Sequence, residues 1–173
     1  MIAPMIRFAI TSVFGCFALI SLSAAQEGKL PNASGLLDKA APHLLNTDGT
    51  KAELKPEVRK KHTLIYWSAG WCGPCRKFTP ELIKYYKEQG GGEDFEIIMV
   101  SVDRGEENMW KYVRGKNMPW IHANFNERRN IGFKAYAKGG IPRLMIIDGE
   151  GEVLGRGSAW TIFRQFKAIR AKQ

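Results

Sequence analysis

Thr63 to Trp67 is a compact apolar run without alternation, the pattern of a strand covered by helices on both faces. Beyond it, Phe78, Leu82 and Tyr85 or Tyr86 recur at helical spacing until Gly90-Gly91-Gly92 interrupts them, which predicts a helix opening at about Cys75. Pro80 falls inside that helix and should kink it. Phe95 to Ser101 forms a second apolar run, and Asp103 with Glu106 three residues on reads as a capping box opening another helix near Arg104. A weaker helical stretch follows from Asn126 to about Ala137 and ends at Gly139-Gly140. Arg143 to Asp148 predicts a strand, Gly149-Glu150-Gly151 a tight connection, and Glu152 to Gly155 the antiparallel partner in an edge hairpin. Ile162, Phe163, Phe166 and Ile169 stripe a last helix whose Arg164, Lys167 and Arg170 fall on other faces, so the stripe belongs to the core. Ahead of these elements, His43-Leu44-Leu45 and Thr50 to Glu53, joined by Asn46-Thr47-Asp48-Gly49, predict a small leading hairpin.

The front of the chain has a different pattern. Residues 1–25 carry one charge, Arg7, then an apolar stretch from Phe8 to Leu22, and close on Ser23-Ala24-Ala25. This is the layout of a cleavable secretory leader with Gln26 as the mature start. The stretch is shorter than the roughly 20 residues of a spanning helix and has polar interruptions. The expected location is therefore periplasmic or secreted, with an N-terminal membrane anchor as the alternative, and with membrane contact only if the segment is retained. Val13-Phe14-Gly15-Cys16 is a poor match to a lipidation box. Residues 26–41 are small and polar and read as a linker or short arm, which leaves 42–173 as a single domain.

Leader removal would also remove Cys16, so Cys72 and Cys75 would be the whole cysteine complement of the mature chain. An exported pair with no spare thiol can be oxidised without mispairing. The full chain of 173 residues has a net charge of +9. Its lysines and arginines are spread along the sequence without the aromatic interleaving of an RNA-binding module, so nucleic acid is not an expected partner. The basic surplus instead suggests a bias toward acidic partners.

Trp71-Cys72-Gly73-Pro74-Cys75 is where candidate chemistry concentrates. Two cysteines three positions apart at a helix start can close into a small ring, and the helix end makes them unequal. Cys72 would meet unpaired N–H groups and attack, while Cys75, one turn in, would resolve the mixed disulfide. Gly73 and Pro74 set the loop conformation, and Pro74 suits a first helical turn. Trp71 would offer an aromatic contact to substrate, or pack over the helix start. A purely structural role fits poorly, because a loop this short yields only about 2 kcal/mol in the chain-entropy model. Metal is not expected, since His43, His62 and His122 lack ligand spacing. With no phosphate-binding glycine fingerprint, no cofactor is expected either. Trp110, Trp120 and Trp160 are assigned to the core.

These residues, with Ile141-Pro142 before the strand at Arg143, resemble the thioredoxin superfamily over most of 42–173. Tyr66 to Cys72, Cys75 to Leu82, Ser101-Val102-Asp103 and Met118-Pro119-Trp120 resemble its tryparedoxin and nucleoredoxin branch. The resemblance implies an α/β thioredoxin-like fold with a central mixed sheet flanked by helices. It also implies nucleophile Cys72, resolving Cys75 in a redox-active disulfide, and a cis Pro142 beside it, where Ile141 and Pro142 would meet an extended substrate. The implied activity is thiol–disulfide exchange, expected as reduction of protein disulfides with electrons from a membrane thiol donor. A peptide-binding module without turnover, or an oxidase or isomerase using the same cysteines, is the alternative. Three positions depart from the pattern. Gly73 replaces a proline typical of tryparedoxins, Val102 stands where that branch often has tryptophan, and Tyr66 occupies the place of the buried acid in thioredoxins.

Overall fold

The computed structural model describes residues 32–59 and 61–173. The leader, Cys16 and the first part of the arm lie outside them. The elements in chain order are α1 (Ser34–Ala40), β1 (Leu44–Leu45), α2 (Pro56–Arg59), β2 (His62–Ser68), α3 (Gly73–Glu88), β3 (Glu96–Ser101), α4 (Glu106–Lys116), β4 (Ile121–Ala123), β5 (Arg143–Asp148), β6 (Val153–Ser158) and α5 (Ala159–Arg170). Six strands form one mixed sheet in the order β1-β4-β3-β2-β5-β6. The central pair β2 and β3 is parallel, so a crossover must join it, and α3 is that crossover. β5 runs antiparallel to β2, and β6 closes the edge hairpin expected from the sequence. This is the thioredoxin-like α/β architecture.

Alternation along the strands sorts the core into two layers. Leu64, Tyr66, Ile97, Met99, Leu144 and Ile146 face Phe78 and Leu82 of α3, Met109 and Val113 of α4 and the α5 stripe. Ile65, Trp67, Ile98, Val100, Met145 and Ile147 face the other way, onto Leu36 and Leu37 of α1 and onto Ile131 and Phe133. Both faces of β2 and β3 are buried, which is why their sequences lack polar alternation.

The second layer corrects the arm assigned to 26–41. Ala33, Leu36, Leu37 and Ala40 have the i, i+3, i+4, i+7 spacing of a buried helical stripe, and α1 packs them into the core. The amide nitrogen of Asn32 donates to the Glu150 carbonyl, and the Ala33 N–H donates to that of Gly151, tying the segment to the β5–β6 turn. Four polar or small residues before Leu36 hid so short a stripe.

Other expectations shift as well. The leading hairpin shrinks to one bridge, Leu45 to Lys51, because β1 pairs with β4 instead. β4, not foreseen, is only three residues long. The stretch after Asn126 is a series of turns with a 3-10 helix at Phe133–Tyr136, entered through Gly132 at φ 98°. Trp120 is buried as expected, but Trp110 is half-buried and Trp160 is 40% exposed, with its ring edge on Phe78.

His122 is fully buried on β4 against the edge of Trp110, and burial depresses its imidazole to about 3. Its folded value lies below the ordinary 6.5, so the stability it contributes is fully present above that value. As pH falls from 6.5 toward 3 the unfolded chain takes up a proton that the folded chain refuses, and that stability is lost. In urea unfolding, His122→Phe is expected to fall less steeply than the parent across this window; parallel pH curves for the two would contradict the assignment. His43 and His62 lie on other elements, and no cluster of three potential metal ligands forms among the described residues. No helix among those residues is long and apolar enough to cross a membrane.

Candidate active site

β2 and β3 end side by side, Ser68 in register with Ser101, and the chain leaves both strands at the same end of the sheet. The Val102 N–H donates to the Ser68 carbonyl at 2.9 Å and extends the ladder one step. Antiparallel β5 starts at that end too, with Arg143 opposite Trp67. Pro142, and the cis bond joining it to Ile141, therefore lie beside the exit of β2. Three loops from three strands converge there, at the carboxyl ends of the parallel strands, where open α/β sheets place their sites.

Cys72 is the N-cap of α3, in extended conformation, and its side chain occupies the capping position. Its Sγ accepts the Cys75 N–H at 3.1 Å, and Pro74 in the first turn removes a donor that the helix could not use. The two cysteines are joined by a disulfide with Cα atoms 5.2 Å apart. They are not equivalent in access: Cys72 is 4% exposed and Cys75 is fully buried. Cys72 Sγ lies 3.7 Å from the Ile141 carbonyl oxygen, and Ala69 and Ile141 complete the apolar seat of the pair. Trp71, 59% exposed, is the most open large apolar side chain among the described residues. Every site residue anticipated from the sequence (Trp71, Cys72, Gly73, Pro74, Cys75, Ile141 and Pro142) falls within this one end of the sheet.

Beneath the disulfide lies a buried hydroxyl cluster, of which only Tyr66 was anticipated. Thr79 Oγ1 donates to the Cys75 carbonyl at 2.9 Å and contacts Tyr66 Oη at 2.9 Å and Tyr112 Oη at 2.7 Å. Since the Thr79 proton is committed, both phenols donate to Thr79, and the Ser68 hydroxyl donates to Tyr66. Burial, with Tyr112 next in effect, pushes the Tyr66 phenol far up, so it stays protonated. The cluster fixes the first turn of α3 through a carbonyl, and no carboxylate belongs to it. Tyr66 therefore takes the place of the buried acid without its capacity to accept a proton.

The carboxylate near the site is Asp103, and its role corrects the capping box. α4 begins at Glu106 with Gly105 as its N-cap, and no side chain caps it. Asp103 instead turns inward: Oδ1 accepts the Gly70 N–H at 2.9 Å, Oδ2 accepts the Ser101 hydroxyl at 2.9 Å, and Ser101 Oγ accepts the Asp103 N–H. The loop before Cys72 is thereby tied to the end of β3. On the other side, Arg76 donates to the Gly70 carbonyl at 2.8 Å. The register of Ser68 with Ser101 was the missing information, since nothing in Ser101-Val102-Asp103 names Gly70 as a partner. Asp103→Ala strips acceptors from a buried hydroxyl and a half-buried N–H, and a loss of about 2 kcal/mol is expected from the denaturant midpoint. A change under half of that would mean that water replaces the carboxylate.

A disulfide-linked cysteine pair at a helix N-terminus, set against a cis-proline loop on a mixed sheet, defines a thioredoxin-type redox domain. The thioredoxin-like family model matches residues 60–153, and this chain belongs to that family. It is 32% identical over 129 residues to tryparedoxin of Trypanosoma brucei brucei, covering 73% of this chain and 81% of that protein. It is 35% identical over 129 residues to probable nucleoredoxin 1 of Arabidopsis thaliana, covering 73% of this chain but 22% of the relative. The chain thus spans about a quarter of the length of the nucleoredoxins it matches. Among solved structures, tryparedoxin II of C. fasciculata superposes with a TM-score of 0.62 at 29% identity, over 78% of this chain and 90% of that one.

Proposed function

We propose that this chain is an exported thiol–disulfide oxidoreductase that reduces protein disulfides through a Cys72 and Cys75 cycle. The reading is carried by the unequal placement of the two sulfurs: one at the helix mouth with an N–H on its Sγ, the other sealed behind it. In the reduced protein, that N–H and the helix dipole favour negative charge on Cys72 Sγ. The thiolate attacks one sulfur of a substrate disulfide, forming a mixed disulfide and releasing the other sulfur as a thiolate. Cys75 then loses its proton and attacks Cys72 Sγ, closing the ring and expelling the second substrate thiolate. Two electrons pass to the substrate, and a thiol donor must return them. The hydroxyl cluster around Tyr66 has no base to take the Cys75 proton, so the departing substrate thiolate or water receives it.

The leader pattern of residues 1–25 supports export to the periplasm or a secreted location, and an exported reductant needs a donor in the membrane. Trp71, Gly73, Pro74, Ile141 and Pro142 are the residues that would meet the substrate. Equilibration in defined thiol buffers tests the direction of the chemistry. A potential near that of thioredoxin, about −270 mV, supports a reductant, whereas one near about −120 mV recasts the chain as an oxidant. N-terminal sequencing of protein from the exported fraction tests the location. A start at Gln26 is expected, and an intact Met1 with all protein in the cytosol would sink export.

A further inference from the structure

Three hollows meet at the cysteine end of the sheet. An apolar groove of about 570 Å3 runs past Cys72 between Trp67, Trp71, Val102, Ala137 and Ile141. Trp71 is shared with a second hollow of about 410 Å3, where Arg104, Asn108 and Lys111 form the polar wall. Trp67, Val102 and Ala137 are shared with a third, of about 240 Å3, which carries Arg128, Arg129 and Lys134. The groove is thus bordered by cations on two sides.

No ion pair within the described residues neutralises them. Among the residues lining the three hollows the one carboxylate is Asp103, and both its oxygens are turned inward onto Gly70 and Ser101. None of the five cations makes an ion pair among the described residues. Those pairs lie elsewhere, as in Asp38 with Arg59 and Asp94 with Lys61 and Arg170. The acids next along the chain, Glu106, Glu107 and Glu127, pair with none of the five cations, Glu106 accepting from Asn126 and Glu127 from Asn130. Arg128 is held over the Phe125 ring at 3.5 Å, where partial burial and then the adjacent Arg129 work against its charge and the Asp103 carboxylate only partly offsets them. Cations that flank one groove on two sides without an ion-pair partner favour an anionic visitor.

We propose that this surface docks an extended acidic segment of a disulfide-bearing partner protein, laid along the groove with its carboxylates reaching into the two cationic hollows. The inference rests on the thiol chemistry proposed above, because it places the partner's disulfide over Cys72. A nucleic acid would meet the same cations but brings no disulfide to attack, which is why an acidic protein segment is the occupant argued for.

Two peptides with the same single disulfide, flanked by glutamates in one and lysines in the other, test the proposal against the reduced full chain. The acidic peptide is expected to be reduced about tenfold faster at low salt, with the gap closing as salt shortens the Debye length. Arg104→Glu with Lys111→Glu, and Arg129→Glu with Lys134→Glu, should each shrink the ratio of the two rates, a quantity that cancels any change in thiol reactivity. Equal rates, or a ratio indifferent to salt and to both double variants, would overturn the docking surface. If neither peptide is reduced, the thiol reading fails, and calorimetric titration of the oxidised full chain with serine versions of the peptides still decides the docking. Salt-sensitive preference for the acidic peptide upholds the surface, and no preference overturns it. A single-stranded oligonucleotide of matched charge that binds more tightly than the acidic peptide would also overturn it, in favour of nucleic acid.

Discussion

Cys72→Ser is expected to lower turnover of a protein disulfide by on the order of 10^3-fold or more, the range in which removal of a nucleophile falls. A serine hydroxyl keeps its proton near neutral pH even at a helix N-terminus, so neither the N–H at 3.1 Å nor the dipole can make it attack sulfur. Cys75→Ser should fail differently. Cys72 still attacks, but nothing behind it can displace the partner, so a mixed disulfide accumulates that non-reducing electrophoresis resolves and added thiol releases. This asymmetry separates the enzyme from a peptide-binding module on the same fold. A module would bind its partner equally well in the parent and in Cys72→Ser, and no covalent adduct would form in Cys75→Ser. Turnover that survived in Cys72→Ser would remove that cysteine from the mechanism.

The parts of this molecule that were readable from sequence are those where a pattern repeats locally. β2, β3, the β5–β6 hairpin and the α5 stripe each carry their period in consecutive residues, and the observed spans follow the expected ones within a few positions. Cys72 and Cys75 were readable because their relation is a spacing along one helix. What escaped depends on registers between distant segments. Asp103 looked like a cap because Glu106 stands three residues on, but Ser101 beside Ser68 carries it to Gly70 instead. Tyr112, Thr79 and Ser68 come from α4, α3 and β2, and their hydroxyls meet only once those elements pack. β1 and β4 are two and three residues long, too short to show a period, and they exist through pairing, β1 with β4 and β4 with β3 as well. The two cationic flanks escaped for the same reason: Arg104 and Lys111 come from one connection and helix, and Arg128, Arg129 and Lys134 from another.

Phe78 joins the site to the fold, and its truncation is expected to have the largest effect on stability. It lies one turn beyond Cys75 on α3 and is fully buried, with ring contacts to Tyr66 of β2 at 5.8 Å, to Phe163 of α5 at 5.6 Å and to Trp160 at 4.5 Å. β2 and α5 therefore close on one ring of α3, and two of those contacts are edge-on, the geometry that adds to simple burial. Phe78→Ala removes the ring from a place that the sheet and two helices cannot easily collapse into, and should cost about 3–5 kcal/mol in urea unfolding. Trp160, 40% exposed, is the internal comparison: Trp160→Ala loses one of the same contacts but opens to solvent rather than leaving a cavity, and should cost well under half as much. Equal costs at the two positions would mean that Trp160 is part of the core after all. Because Phe78 touches Tyr66, and Tyr66 bonds to Thr79 beneath the Cys75 carbonyl, the variant should also loosen the first turn of α3. Faster alkylation of Cys75 in reduced Phe78→Ala, under conditions where the protein remains folded, is the result that would show the core holding the resolving sulfur out of reach. An unchanged Cys75 rate with lowered stability would confine Phe78 to packing alone.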